Sequence, residues 1–379
     1  MELGIYVHFP FCKSKCYYCD FISYANKEDL KEKYIEKLKE EIKDNEDILQ
    51  RAKITTIYFG GGTPSILEPK LLEQVLNTIY EISKINDKDK KNIETTIEVN
   101  PGTITKNNLH MYKNCGFNRI SFGLQSTNDM LLKQIGRIHN FNQFKEAFNW
   151  AREAGFENIN VDLMLGLPNQ TLKDLKESLE ILTNLNKPEH ISIYSLIVEE
   201  ETKMEELLQT GKLKLPEEEE ERNQYHYAKS YLELKGYKHY EISNFAKPGL
   251  ESKHNINCWE QKQYLGFGVV AHSYIEGVRY SNIPNLEKYL NENSKKIKTI
   301  EEKQNKLDME KEYMMLGLRK LDGISISKFE EKFGENPIYL FRMELQKLVN
   351  EELLEVDLDT IKLTAKGLDF ANQVWEEFV

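Results

Sequence analysis

The sequence predicts an α/β protein built as an incomplete (β/α)6 barrel, followed by a winged-helix-like α+β domain at the C-terminal end. Three observations lead there. Short β-branched runs alternate with longer amphipathic stretches through the first half of the chain. The Cys-, Gly- and carboxylate-bearing motifs follow the carboxyl ends of those runs. After about residue 200 the alternation gives way to an irregular pattern. Six βα units imply a parallel sheet, and such folds place their ligand-binding loops at the carboxyl ends of the strands.

The strand candidates are Gly4 to His8, Ile54 to Phe59, Ile93 to Val99, Arg119 to Leu124, Ile159 to Leu165 and His190 to Ile197. Between them lie helical patterns such as Leu30, Tyr34, Ile35, Leu38 and Ile42, whose spacing sets one apolar stripe against the sheet. Residues 1–200 therefore read as the partial barrel. Residues 201–296 hold a helix near Glu217 to Lys235, opened by the acidic run Glu217 to Glu221, which suits the positive end of a helix dipole. A Tyr- and His-rich segment, Tyr237 to Tyr280, is expected to complete the barrel and cover its mouth. Residues 297–379 show helices around Glu310 to Leu321, Ser325 to Phe333 and Ile338 to Val349, then an alternating hairpin from Leu353 to Leu363.

With 379 residues and 40% hydrophobic side chains, the chain can bury a large core. No apolar run reaches the ~18 residues of a membrane span, and no signal-peptide pattern precedes the first strand. A soluble, cytoplasmic protein is expected, with any membrane association peripheral and through a partner only. The net charge of -11 argues against general nucleic-acid affinity, which needs a basic face. Acidic residues in the winged region, among them Glu351, Glu352, Asp357 and Asp359, point the same way, so that region reads as a packing or docking domain.

The densest chemistry lies after the first strand, where Cys12, Cys16 and Cys19 follow at C-x3-C-x2-C spacing. Three thiolates can hold three irons of a 4Fe-4S cluster, leaving the fourth iron open to a small molecule, where an electron-transfer cluster would carry a fourth Cys. S-adenosylmethionine fits that vacancy through its amino and carboxylate groups. A zinc site formed with His8 is the rival reading, although C-x3-C is an awkward first knuckle and no second pair follows. Five cysteines in a chain of this length make no disulfide framework, and Cys115 reads as an ordinary buried thiol.

The spacing, with Tyr6-x-His8-x-Pro10 before it and Tyr18-Cys19-Asp20-Phe21 at its end, resembles the radical S-adenosylmethionine superfamily and its coproporphyrinogen III oxidase-like branch. The resemblance covers nearly the whole chain and implies the same partial-barrel architecture. Gly60-Gly61-Gly62-Thr63-Pro64 follows the second strand, where glycines admit a ligand close to the backbone. In the family this turn meets the methionyl amino group, which assigns Gly61, Gly62 and Thr63; Tyr6 and Tyr18 match aromatic positions that touch the same cofactor.

Glu98 ends the third strand, where a carboxylate can accept hydrogen bonds from ribose hydroxyls or an amine. Gln125 ends the fourth, and Arg137 can clamp a carboxylate with its planar fork. Asp162 interrupts an apolar run, where an unpaired carboxylate would be costly. Taken together, the four match the family's S-adenosylmethionine-binding positions.

Two groups within the branch compete. One is the oxygen-independent coproporphyrinogen III oxidases, which turn two propionates into vinyls. The other is the HemW-type heme chaperones, which bind heme and pass it to acceptor proteins. The oxidases carry a further Cys two residues after the third, where Phe21 stands here, and an N-terminal extension, whereas Tyr6 is almost at the start. Both departures favour the chaperones. His254-Asn255-Ile256-Asn257-Cys258-Trp259 resembles their H-N-x-x-Y-W heme-binding motif, with Cys258 in place of the tyrosine. Imidazole and thiolate can both ligate heme iron, so the resemblance makes His254 and Cys258 the expected heme ligands. The expected partners are heme and an unnamed heme-acceptor protein.

Overall fold

A computed structural model describes residues 1–379. Its first six strands, β1 (Glu2–Phe9), β2 (Lys53–Gly61), β3 (Glu94–Val99), β4 (Arg119–Gln125), β5 (Asn158–Leu165) and β6 (His190–Ser195), lie side by side in chain order and are all parallel. Strict alternation decides what each strand contributes. Leu3, Ile5, Val7 and Phe9 of β1, Ile57 and Phe59 of β2, and Val161 and Leu165 of β5 are fully buried in the apolar core beneath the helices. Their neighbours Thr56, Tyr58, Glu98, Ser121, Asn160 and Asp162 turn the other way, into a polar barrel interior. The helices Lys31–Lys43, Pro69–Ile82, Lys106–Cys115, Phe141–Glu153 and Leu172–Ile181 cover the apolar face. Three of them begin with reciprocal capping boxes, Thr105 with Asn108, Asn140 with Gln143 and Thr171 with Asp174, which fix where each turn of chain re-enters the sheet.

Both edges are extended rather than joined. At β6, β8 (Asn244–Ala246) and β7 (Lys238–Glu241) add antiparallel; at β1, β9 (Gln263–Phe267) adds parallel, followed by β10 (His272–Ile275), β11 (Val278–Asn282) and β12 (Lys298–Lys303). The twelve-stranded sheet stays open, as an incomplete barrel should. Because Lys298–Lys303 pairs with β11, the large sheet runs past residue 297, where the sequence pattern suggested a new region.

The Tyr- and His-rich segment also differs from expectation. Helix Lys253–Trp259 crosses the amino-terminal ends of the strands, not the mouth. Glu94, the first residue of β3, accepts the backbone N–H groups of Lys253 and His254 at 3.1 Å each, and Asn257 donates to Thr55 at 3.1 Å. The floor is therefore sealed by a buried carboxylate that satisfies two otherwise unpaired amides.

The C-terminal domain has its own apolar core and a three-stranded sheet, β13 (Ile324–Ser325), β14 (Leu354–Val356) and β15 (Thr360–Leu363), in the order β13-β15-β14. The stretch read as one helix, Ile338 to Val349, is two, Pro337–Leu340 and Arg342–Asn350. The break lets Phe341 turn its ring onto Phe329 and Phe378. Arg319 joins the domains, its guanidinium 4.3 Å from the Trp259 ring centroid and 4.6 Å from that of Trp375.

Glu41 holds the β1 edge to its extension. Its carboxylate accepts from Gly268 N–H (2.9 Å), the Asn282 amide (2.7 Å) and the Tyr289 hydroxyl (2.6 Å), all buried. Glu41→Ala removes the acceptor from three buried donors at once. It should destabilise the chain by about 3 kcal/mol, measured by urea unfolding, with Glu41→Gln costing less because it retains one acceptor oxygen.

Candidate functional site

The carboxyl ends of β1 to β6 converge on a cavity of about 470 Å3. Cys12, Cys16, Tyr18 and Cys19 reach it from the loop after β1, Gly61, Gly62 and Thr63 from the turn after β2, and Glu98, Gln125 and Asp162 from β3, β4 and β5, with Arg137 between them. Residues separated by more than a hundred positions in the chain thus share one wall.

The loop after β1 is fixed by backbone pairing and by a buried histidine. Cys12 N–H donates to Tyr24 O at 3.0 Å, and Tyr24 N–H donates to Pro10 O at 2.7 Å. His8 Nε2 lies 3.2 Å from Ile22 O, a group that can only accept, so Nε2 carries the proton and Nδ1 accepts from the Tyr6 hydroxyl at 3.0 Å. Burial pushes the His8 imidazole down to about 4, so it is neutral, as this pairing requires. Tyr6 stacks on Tyr58 and donates to His8, just behind the cavity wall that Glu98 forms.

Gly61 has φ +103°, and a Cβ there would lie 2.3 Å from His8 Nδ1. A Cβ on Gly62 would meet the carbonyls of Phe9 and Phe11 at 2.7 and 2.9 Å. The glycines are therefore required by the backbone leading into Cys12 as much as by any ligand.

All three thiols are free. Thr63 Oγ1 stands 3.5 Å from Cys12 Sγ, and Arg137 Nη1 donates to Cys16 Sγ at 3.5 Å. Burial pushes the Cys19 thiol up to about 11, so a bound metal would be needed to hold it as thiolate at neutral pH. No three His, Cys, Asp or Glu side chains converge as a single metal ion demands, and His8 is already engaged on both nitrogens. Three separated thiols around a recess suit a cluster in which each sulfur meets a different iron.

The opposite wall fits S-adenosylmethionine. Glu98 accepts from the Tyr58 hydroxyl (2.8 Å) and from Gly61 N–H (3.1 Å), and burial still pushes its carboxyl up to about 7. A cationic amine would restore its charge. Arg137 also donates to the Gly123 carbonyl, and its buried Nε has no partner, leaving a donor for an anionic group. Gly123 makes room for it, since a Cβ there would lie 3.1 Å from Arg137 Nη2. Gln125 sits at a register shift with φ +74°, a strained conformation for a non-glycine residue, and accepts from Tyr194 at 3.0 Å. Asp162, pushed up by burial, accepts from Asn160 at 2.7 Å. Sequence reasoning missed Tyr58, Tyr194 and Gly123; the signal was the every-second-residue spacing that puts them beside Gly60, Ser192 and Gln125.

The expected heme ligands lie elsewhere. His254 Nδ1 is 2.8 Å from Thr56 Oγ1 and its ring stacks on Tyr58 at 5.0 Å, inside the barrel floor. Burial lowers its imidazole to about 4 and raises the Cys258 thiol to about 11. His254 thus faces the barrel interior, while Cys258 is half-buried beside Tyr264 and Arg279. His272 is outside both sites, 3.2 Å from Glu301 on the antiparallel extension.

An open parallel barrel with three free thiols, a glycine turn and a polar wall at its mouth defines a radical-S-adenosylmethionine-type protein. Residues 6–182 match the Radical SAM superfamily and residues 305–370 the HemN C-terminal domain. The Escherichia coli coproporphyrinogen III oxidase HemN, a radical SAM enzyme, superimposes with a TM-score of 0.85 over 99% of this chain and 89% of its own, at 24% identity, which establishes the fold. Heme chaperone HemW of Lactococcus lactis is 38% identical over 374 residues, 99% of this chain and 96% of that protein. Heme chaperone HemW of Bacillus subtilis is 38% identical over 377 residues, 99% and 98% respectively. The chain belongs to the HemW family.

Glu98 gives a pH test. Its folded-state pKa of about 7 lies above the usual 4.5, so its contribution to stability is complete below pH 4.5 and is lost as pH rises through 7. In the ligand-free chain, Glu98→Gln should flatten that part of the stability profile, read as Tm against pH. An unchanged slope between pH 4.5 and 7 would show that Glu98 titrates normally.

Proposed function

We propose that this chain is a cytoplasmic heme chaperone, binding heme and transferring it to an acceptor protein, with a 4Fe-4S cluster on Cys12, Cys16 and Cys19 and an exchangeable S-adenosylmethionine on the open iron. The observation that carries this reading is similarity along 99% of the chain to proteins named heme chaperones. Phe21 supports it. It lies on the cavity rim, 60% exposed, at the place where the oxidases carry their additional Cys. No helix is long and apolar enough to cross a membrane.

When bound, the cluster supplies an electron that can cleave the sulfonium of S-adenosylmethionine. The chain's own residues do the positioning. Thr63 and Arg137 hold the Cys12 and Cys16 thiols that would carry the cluster, Glu98 would meet the amino group, and Arg137 Nε would offer a donor to the carboxylate.

Anaerobically reconstituted protein should hold about four irons and four sulfides per chain, and Ala at any one of Cys12, Cys16 or Cys19 should abolish the cluster's absorption. One tightly held zinc and no iron-sulfur absorption would defeat the cluster assignment.

Heme should bind at about one per chain, followed by its Soret band. The reduced holoprotein with S-adenosylmethionine should not decarboxylate coproporphyrinogen III. Protoporphyrinogen formed at about one turnover per minute or faster would replace the chaperone reading with the oxidase one.

A further inference from the structure

The barrel interior holds a cation with no counter-ion in contact. Arg119 opens β4 with 2% of its surface exposed, and no ion pair or side-chain hydrogen bond engages its guanidinium, whose buried Nε has no partner. By contrast, Arg152 holds Glu189, Arg279 holds Glu312, and Arg137 holds Cys16 and the Gly123 carbonyl. The neighbours of Arg119 on the sheet are left open in the same way. Register sets Thr96 of β3 and Asn158 of β5 directly beside it, and Thr96 Oγ1 and Asn158 Oδ1 are likewise buried without a partner. Three side chains in one row across three strands thus turn unpaired polar atoms toward the interior. Burying such a charge opposes folding, so its contribution lies in what it does to the groups around it.

The next row on the same face is the wall of the mouth cavity. Glu98 follows Thr96 on β3 and pairs with Ser121, while Asp162 on β5 pairs with Gly123. With strands about 4.8 Å apart and a rise of about 3.3 Å per residue, the backbone of Glu98 lies about 8 Å from that of Arg119. An unshared charge acts over that distance in an interior poor in water. The other groups about Glu98 are Tyr6 and Tyr58, whose hydroxyls burial keeps neutral, His254, neutral for the same reason and stacked on Tyr58, and Asp162 and Arg137 on the cavity wall. Burial and the neighbouring Asp162 push Glu98 up to about 7, and Arg119 opposes them. Toward the floor, the groups around Arg119 are neutral His190, His254 and Tyr240, and Glu94, which already accepts two amides.

We propose that Arg119 is a positioning residue for the cofactor wall, its unshared buried charge holding Glu98 as the carboxylate that receives a ligand's donors. A carboxylate accepts N–H and O–H groups, whereas its protonated form has to donate to one of them. The proposal rests on the S-adenosylmethionine reading of the mouth and adds the residue that sets the charge of its wall. Arg119 itself touches neither the thiols nor the cavity lining.

The first measurement uses the ligand-free, full-length chain, read as Tm against pH. In the parent, the stability contributed by protonated Glu98 is lost between pH 4.5 and 7. In Arg119→Met, and in Arg119→Gln, which leaves Thr96 and Asn158 a polar neighbour, that loss should extend about one pH unit higher. Arg119→Lys should follow the parent, and adding Glu98→Gln should remove the extension. The second measurement is S-adenosylmethionine binding to the cluster-loaded protein. Both uncharged variants should bind about fivefold more weakly at pH 7 and regain the parent's affinity near pH 9. A Tm profile that levels off at the same pH in the parent and both uncharged variants, or an affinity reduced equally at every pH, would overturn the role of Arg119. If the parent binds no S-adenosylmethionine while the Tm profiles move as described, the cofactor reading falls and the coupling of Arg119 to Glu98 stands.

Discussion

The structure depends on pairing most of the polar groups in its barrel interior, where Thr96 Oγ1, Arg119 Nε and Arg137 Nε are among the few buried atoms left without a partner. Parallel strands buried on both faces are usually apolar on both, but here one face carries Thr, Tyr, Ser, Asn, Asp and His. Such groups are tolerated away from water only when each finds a partner. Asn160 shows how tightly this is met. Its amide donates to Ser121 Oγ and Asp162, and its carbonyl oxygen accepts from Ser192 and from His190 Nδ1 at 2.6 Å. Burial keeps His190 neutral, so Nε2 must accept from the Tyr240 hydroxyl, and the Tyr240 oxygen in turn accepts Ser252 N–H. The network therefore runs from the middle of the sheet to the cap of the floor helix.

This pairing links the two ends of the barrel. At the mouth, Glu98 is held by Tyr58, and Tyr58 stacks on His254, whose helix is fastened to Glu94 at the foot. A column of side chains thus runs from the cavity at the mouth down to the floor helix. The C-terminal domain grips the same helix from outside through Arg319 on Trp259 and Lys320 on Glu260. Helix Lys253–Trp259 is consequently the element at which barrel, floor and C-terminal domain meet.

This accounts for the inward placement of His254. A motif that resembles a heme-binding sequence lies on a short helix whose inner side must satisfy Thr56 and close the barrel, while its outer side lines a cavity at the foot with Lys253, Ile256 and Asn257. The interaction that orients each side chain is supplied by residues some two hundred positions away, such as Thr55 and Thr56.

The sequence by itself determined the six parallel strands, the covering helices and the cysteine loop, because period-two and period-3.6 patterns and C-x3-C-x2-C spacing are local properties. It also singled out Gly61, Gly62, Glu98, Gln125, Arg137 and Asp162, through the family resemblance of their motifs, and the fold brings all six around one cavity. Only the tertiary structure decided that Tyr6 supports His8, that the helix after Ser252 seals the floor instead of the mouth, and that four lysines gather at the foot. Those outcomes depend on which buried polar atoms remain unpaired once the sheet has curled, and that is fixed by contacts between distant segments rather than by any local pattern.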